Sequence, residues 1–191
     1  MKTITKYLTV LLFLFALSLT AQQKDFTKEP GYVDFGELAE FETGEAVTEV
    51  YIDETLLQMV AKMTKEKEPE MADLLNGLKL VKVNSYEISD ENETEILNRM
   101  ESIAQKLNGT KWQRMVKRKA KDETVYVFVR TGNTEKFTGL VVLAFDKPGE
   151  AAFINIVGDI DLASIGKLSN KFDIPALNKM NDTEKSDSLN E

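Results

Sequence analysis

Apolar residues recur along the chain with two periods, one typical of helices and one typical of strands. Helical spacing predicts three helices with recognisable ends: Asp53 is a candidate N-cap for the first, Pro69 opens the second, and Asn108-Gly109 ends the third. Asp161 is a candidate N-cap for a short closing helix over residues 161–168. Strand-like runs predict six strands, at residues 47–52, 78–88, 111–120, 124–131, 137–146 and 151–158.

The order of these elements predicts the fold class. It reads β-α-α-β-α-β-β-β-β-α, and the last four strands are joined by links so short that these strands must be antiparallel neighbours. We therefore predict an α+β fold: a single two-layer domain whose largely antiparallel sheet ends in a four-strand meander, with the helices packed on one face. The methionines on the helical stripes are predicted to fill the core: Met59, Met63, Met71 and Met100.

The predicted central strands have no plainly polar face. A sheet covered on one side should alternate apolar and polar residues, but the last three strands are largely apolar on both sides. The candidate apolar binding face comprises Tyr126, Phe128, Leu140, Val142, Ile154 and Ile156. Three coverings stay open at this point: the chain's own segments 26–46 or 161–177, a second copy in a homodimer, or an apolar ligand such as an acyl chain.

The N-terminus has the three-part layout of a cleavable signal peptide. Lys2 and Lys6 precede an apolar run from about Tyr7 to Leu19, and Ala21 suits a cleavage site. No cysteine follows the run, so a lipoprotein anchor is not expected. We expect an exported protein, periplasmic or secreted, whose mature chain has no transmembrane segment.

The domain organisation follows from these assignments. We expect a signal peptide at residues 1–21, an irregular lead-in at 22–46, the α+β domain at 47–177 and a disordered polar tail at 178–191. The lead-in carries apolar residues through which it can dock onto the domain: Tyr32, Val33, Phe35, Leu38 and Phe41.

The composition restricts the chemistry that is open to the chain. It contains no histidine and no cysteine, which removes Ser-His-Asp triads, Cys-His pairs, His-based zinc sites and disulfides. Only carboxylate, lysine, tyrosine or serine chemistry remains, and no catalytic constellation of these residues is apparent. We therefore expect no enzyme activity, no metal site and no cofactor, although a carboxylate-based enzyme is not excluded.

One stretch, KWQRMVKRKAK at residues 111–121, is strongly basic in a chain of formal net charge -8. An acidic, exported domain does not fit nucleic-acid binding. Two interpretations stay open. The lysines protect an exposed strand against edge-to-edge pairing, or the cations contact an acidic partner or anionic headgroups. The candidate contacts for such a partner are Arg114, Lys117, Arg118 and Lys119.

Several segments together resemble one known family. They are GYVDFGELAEF, VTEVYIDETLLQMVAKM, LLNGLKLVKVNSYEI, KWQRMVKRK, VYVFVR, GLVVLAF and FINIVGDIDLASIGKL, which span about residues 31–177. In order and hydrophobic pattern they look like the exported bacterial family called domain of unknown function four-two-five-two. The resemblance implies export in Gram-negative bacteria, commonly with a leader or a lipoprotein signal, and a loose association with envelope signalling. It carries over no active site.

These observations lead to one functional hypothesis and one alternative. The hypothesis is a non-catalytic binding or protein-interaction module of the bacterial cell envelope, linked to envelope signalling, whose partner is another envelope protein or a second copy of the chain. The alternative is a periplasmic carrier of a lipid or another apolar ligand held against the sheet.

Overall fold

The structure is a computed structural model that describes residues 24–36, Leu38, Phe41, 47–132 and 136–161. The predicted signal peptide, the polar tail and all but the first residue of the predicted closing helix lie outside these residues. After a 3-10 turn at Phe26–Lys28, the elements are β1 (Val47–Asp53), α1 (Glu54–Thr64), α2 (Pro69–Gly77), β2 (Leu78–Glu87), α3 (Glu93–Leu107), β3 (Trp112–Lys119), β4 (Glu123–Thr131), β5 (Phe137–Asp146) and β6 (Glu150–Ile160).

Three of the boundary signals in the sequence act as predicted, and the fourth, Asp161, precedes residues outside the described structure. The backbone N–H of Leu56 donates to the Asp53 carboxylate at 3.0 Å, so Asp53 caps α1. Pro69 is the first residue of α2, where its missing N–H costs no hydrogen bond. Gly109 follows α3 with a φ of 83°, a conformation that glycine adopts without strain.

The strands form one six-stranded sheet in the order β1-β2-β6-β5-β4-β3, and every neighbouring pair is antiparallel. The last four strands are sequential neighbours, which confirms the α+β class, the single domain and the meander. β1 and β3 are the two edge strands.

The helices lie on both faces of the sheet, which corrects the two-layer prediction. Leu57 of α1 and Leu75 of α2 share one core cluster with Val127 and Ile154. Met100 of α3 belongs to a second cluster, which is built on the alternate strand residues. We call these two surfaces the α1–α2 face and the α3 face. Both faces are apolar, so helices on one face alone would leave large apolar side chains in water.

The lead-in docks on the α3 face through a buried asparagine. The side chain of Asn155 in β6 is fully buried; its Nδ2 donates to the carbonyl of Gly31 at 2.9 Å, and its Oδ1 accepts from the N–H of Val33 at 2.9 Å. Phe35 and Phe41 then pack on Phe153 with ring centroids 5.8 and 6.0 Å apart. Of the three coverings left open by the sequence, the intramolecular one by the lead-in is therefore present on this face.

Candidate interaction surfaces

The six residues of the predicted apolar binding face do not form one face. Tyr126 and Phe128 belong to the α3 face, and the other four, Leu140, Val142, Ile154 and Ile156, belong to the α1–α2 face. The register decides this, because Tyr126 pairs with Leu143, whereas Leu140 and Val142 point to the opposite side. All six are at most 3% exposed, so they are core residues and not an open surface.

The basic stretch forms β3, at the edge of the sheet. A β-bulge lies between Arg114 and Val116, so the alternation of side chains shifts by one residue there. Three cations of β3 lie opposite residues that alternate along β4 and therefore share the α3 face. The pairs are Arg114 with Phe128, Lys117 with Tyr126 and Lys119 with Thr124. We call Arg114, Lys117 and Lys119 the basic row.

The fourth candidate cation, Arg118, lies on the other face of β3. It pairs with Val125, whose side chain belongs to the α1–α2 cluster. Its Nε donates to the Glu123 carboxylate at 2.8 Å. The structure thus brings three of the four predicted contacts together and separates Arg118 from them.

Lys119 is held in place by a polar cluster that ties β3 and β4 to α3. Its Nζ lies 2.9 Å from the Glu101 carboxylate, to which the Tyr126 hydroxyl also donates at 2.7 Å. The Lys119 ammonium also lies 5.8 Å from the centre of the Tyr126 ring. Arg114 and Lys117 make no ion pair or side-chain hydrogen bond within the described residues, so the row contains two exposed, uncompensated cations beside one anchored cation.

The same cluster shifts the ionisation of its carboxyl group. The Tyr126 hydroxyl and then the Lys119 ammonium stabilise the ionised form and lower the pKa of Glu101 to about 2. Burial raises the pKa of Tyr126, and the Glu101 carboxylate raises it further, so the phenol keeps the proton that it donates. Glu101 is therefore a charged anchor for the basic row.

Glu101→Gln should remove a pH-dependent part of the stability. The folded pKa of about 2 lies below the ordinary 4.5, so the stabilisation is fully present above about pH 4.5 and is lost as the pH falls toward 2. Since the Glu101 side chain is 42% exposed, we expect a loss of only about 1 kcal/mol near neutral pH. Urea unfolding at about pH 6 and about pH 3 measures the difference, which should shrink at the lower pH.

Glu95→Gln is the matched control for this comparison. Glu95 is an exposed carboxylate in the first turn of the same helix. Equal pH dependence of the two variants would contradict the role of Glu101.

An exposed apolar stripe on α1 is the surface that sequence reasoning missed. Leu56, Met59, Val60 and Met63 are 47, 56, 43 and 81% exposed, whereas Leu57 and Ala61 are the buried residues of the helix. The prediction that Met59 and Met63 fill the core is therefore wrong, whereas Met71 and Met100 are buried as predicted. We call the four exposed residues the α1 stripe.

A signal for this stripe was present in the sequence. Positions 56, 59, 60 and 63 follow the i, i+3, i+4, i+7 pattern, and positions 57 and 61 add a second apolar row beside it. The combined apolar arc is wider than one sheet contact can bury. Periodicity alone could not show which half of the arc faces the sheet.

The described part of the chain contains neither a metal-binding cluster nor a membrane-spanning helix. Its acidic residues form no cluster of three or more side chains able to hold a metal ion. None of the helices described combines the length and the apolar character that crossing a bilayer requires.

One known protein family matches nearly all of the folded region. A family model described as Domain of unknown function (DUF4252) covers residues 41–168, which include every helix and strand of the sheet domain. This confirms the resemblance found in the sequence. Among curated proteins and among solved structures, none matches the chain.

Proposed function

The chain belongs to this family of domains of unknown function, and we propose a role for it from its own surfaces. The protein is a non-catalytic protein-interaction module of the cell envelope. It is exported by a signal peptide that is cleaved after Ala21. Its primary contact surface is the α1 stripe, and its partner is another envelope protein or a second copy of the chain.

The exposure of the α1 stripe is the observation that carries this proposal. Four large apolar side chains lie side by side on one helix, and Met63 is 81% exposed. Soluble proteins rarely leave such a contiguous apolar surface in water unless it contacts something. Methionine is enriched at protein interfaces, where its unbranched side chain adapts to the shape of a partner.

The structure supports a protein partner better than it supports the alternative of a lipid carrier. That alternative places an acyl chain against the sheet, but the sheet side chains that it would use are packed against helices and are at most 3% exposed. The α1 stripe is instead convex, since it lies on the outer side of a helix. A convex apolar helix face suits the groove or helix of another protein.

Site-specific photo-crosslinking in the exporting cell tests the proposal. We expect Met63→benzoylphenylalanine to give a discrete crosslinked species, and a second copy would appear at twice the mass of the chain. Gln58→benzoylphenylalanine is the matched control, because Gln58 is exposed on the same helix but lies outside the stripe. The intact mass of the exported chain checks the removal of residues 1–21.

Disruption of the surface should abolish that species. Adding Met59→Glu, while the crosslinker stays at position 63, should remove the crosslinked band without lowering the stability, because Met59 is 56% exposed. Equal crosslinking from positions 58 and 63, or none from either, would contradict a role for the stripe.

A further inference from the structure

The edge strand β3 has an open side next to the basic row. Within the described residues β3 pairs only with β4, so alternate backbone N–H and C=O groups along it point away from the sheet. We propose that β3 accepts an added strand from an extended peptide segment that carries acidic side chains at alternate positions. This site is separate from the α1 stripe and does not depend on the function proposed for it.

The geometry of the row defines the chemistry of that segment. Side chains two residues apart on a strand point to the same face and lie about 7 Å apart, and a neighbouring strand runs about 4.8 Å away. The acidic side chains of an added strand would therefore lie on the α3 face, opposite Arg114 and Lys117. The arginine guanidinium can bind a carboxylate through two parallel hydrogen bonds, which favours a defined register.

The charge state of each cation supports an acidic occupant. Lys119 is paired with Glu101 and Arg118 with Glu123, but Arg114 and Lys117 make no such pair within the described part of the chain. Met115, 39% exposed, lies at the bulge between them and adds an apolar contact. A strand with the opposite charge would neutralise these two cations, which have no ion-pair partner among the residues that the structure describes.

Edge protection and strand addition concern incoming strands of different charge. A row of cations repels the same edge of a second copy, which protects the protein from self-association. The same row attracts an acidic strand, so the edge becomes selective for charge. A nucleic acid or an anionic membrane could also meet the cations, but neither can use the free backbone groups of β3.

Fluorescence anisotropy with synthetic peptides tests strand addition on the full mature chain. The probe is a labelled peptide in which glutamate alternates with threonine, and the comparison is a peptide of the same composition with its glutamates in one block. We expect the alternating peptide to bind about tenfold more tightly. A third peptide, N-methylated at alternate backbone positions, should lose that advantage because it cannot pair with β3.

Variants of the protein test the row itself. Arg114→Glu with Lys117→Glu should weaken binding of the alternating peptide by about tenfold or more. Lys65→Glu with Lys67→Glu makes the same change in charge on the link between α1 and α2, far from β3 in sequence, and should leave binding unchanged. The N-methylated peptide keeps the test valid if the β3 variant folds poorly, since it leaves the protein intact.

Four outcomes would overturn the proposal. Equal binding of the alternating and block peptides would mean that charge acts without strand pairing. If the N-methylated peptide bound as tightly as the unmodified alternating peptide, the conclusion would be the same. It would also be the same if anionic phosphatidylglycerol vesicles competed with the alternating peptide and bound equally well. If no peptide binds, the cations of β3 serve edge protection only.

Discussion

Gly31→Ala is expected to lower the free energy of unfolding by about 3 kcal/mol, one of the two largest effects that we anticipate. A Cβ atom at Gly31 would lie 1.9 Å from the carbonyl oxygen of Thr138 and 2.8 Å from the Cα of Gly139. These are backbone atoms of β5, which cannot rotate out of the way. The lead-in would have to lift from the sheet and expose aromatic side chains such as Phe35. Urea-induced unfolding measures the change.

Gly109→Ala provides the control for backbone conformation. Gly109 has a φ of 83°, but a Cβ there would meet no atom within 4 Å. Its replacement should cost about 1 kcal/mol through strain alone. If Gly31→Ala were no more destabilising than Gly109→Ala, the close seating of the lead-in on β5 would be wrong.

Asn155→Leu should have the second large effect and lower the free energy of unfolding by about 3 kcal/mol. The substitution removes the acceptor for the N–H of Val33 and the donor for the carbonyl of Gly31. The Gly31 carbonyl would then be buried and the Val33 N–H partly buried, both without this partner, or the lead-in would detach so that water could reach them. Thermal and urea unfolding report the loss, and faster hydrogen exchange at Val33 would locate it.

Asn84→Leu is the matched control, on the neighbouring strand of the same face. Asn84 is also buried, but its Oδ1 has no partner in the described structure and its Nδ2 donates only to Glu49, at 2.8 Å. Replacing it with leucine should change the stability by less than about 1 kcal/mol. A similar cost at both asparagines would mean that Asn155 has no special role in holding the lead-in.

These two anchors explain why the α3 face is not an open apolar surface. Asn155 and Gly31 hold the lead-in on the sheet, where Phe35 and Phe41 pack in the same cluster as the residues of helix α3. The two exposed surfaces lie on different parts of the sheet domain. Helix α1, which carries the stripe, packs against β1 and β2, and the basic row lies on β3, the edge strand at the other end of the sheet.

Local signals allowed much of the fold to be predicted. Asp53 caps α1 and Pro69 opens α2 because capping and the fixed φ of proline depend on a few neighbouring residues. The short links between the last four strands required a meander, and the sheet order has one. The four candidate cations were also identified, since a concentration of charge is visible without a structure.

The sequence by itself determined the elements, the α+β class, the family and the absence of histidine and cysteine chemistry, because these depend on composition and local pattern. Only the tertiary structure decided which residues share a surface. The pairing of β4 with β5 divided the six apolar candidates between two faces, and the bulge in β3 brought Arg114 onto the same side as Lys117. Packing on the sheet decided which half of the apolar arc of α1 stays in water. Register and packing are long-range properties, so the local periodicity of a strand or a helix does not specify them.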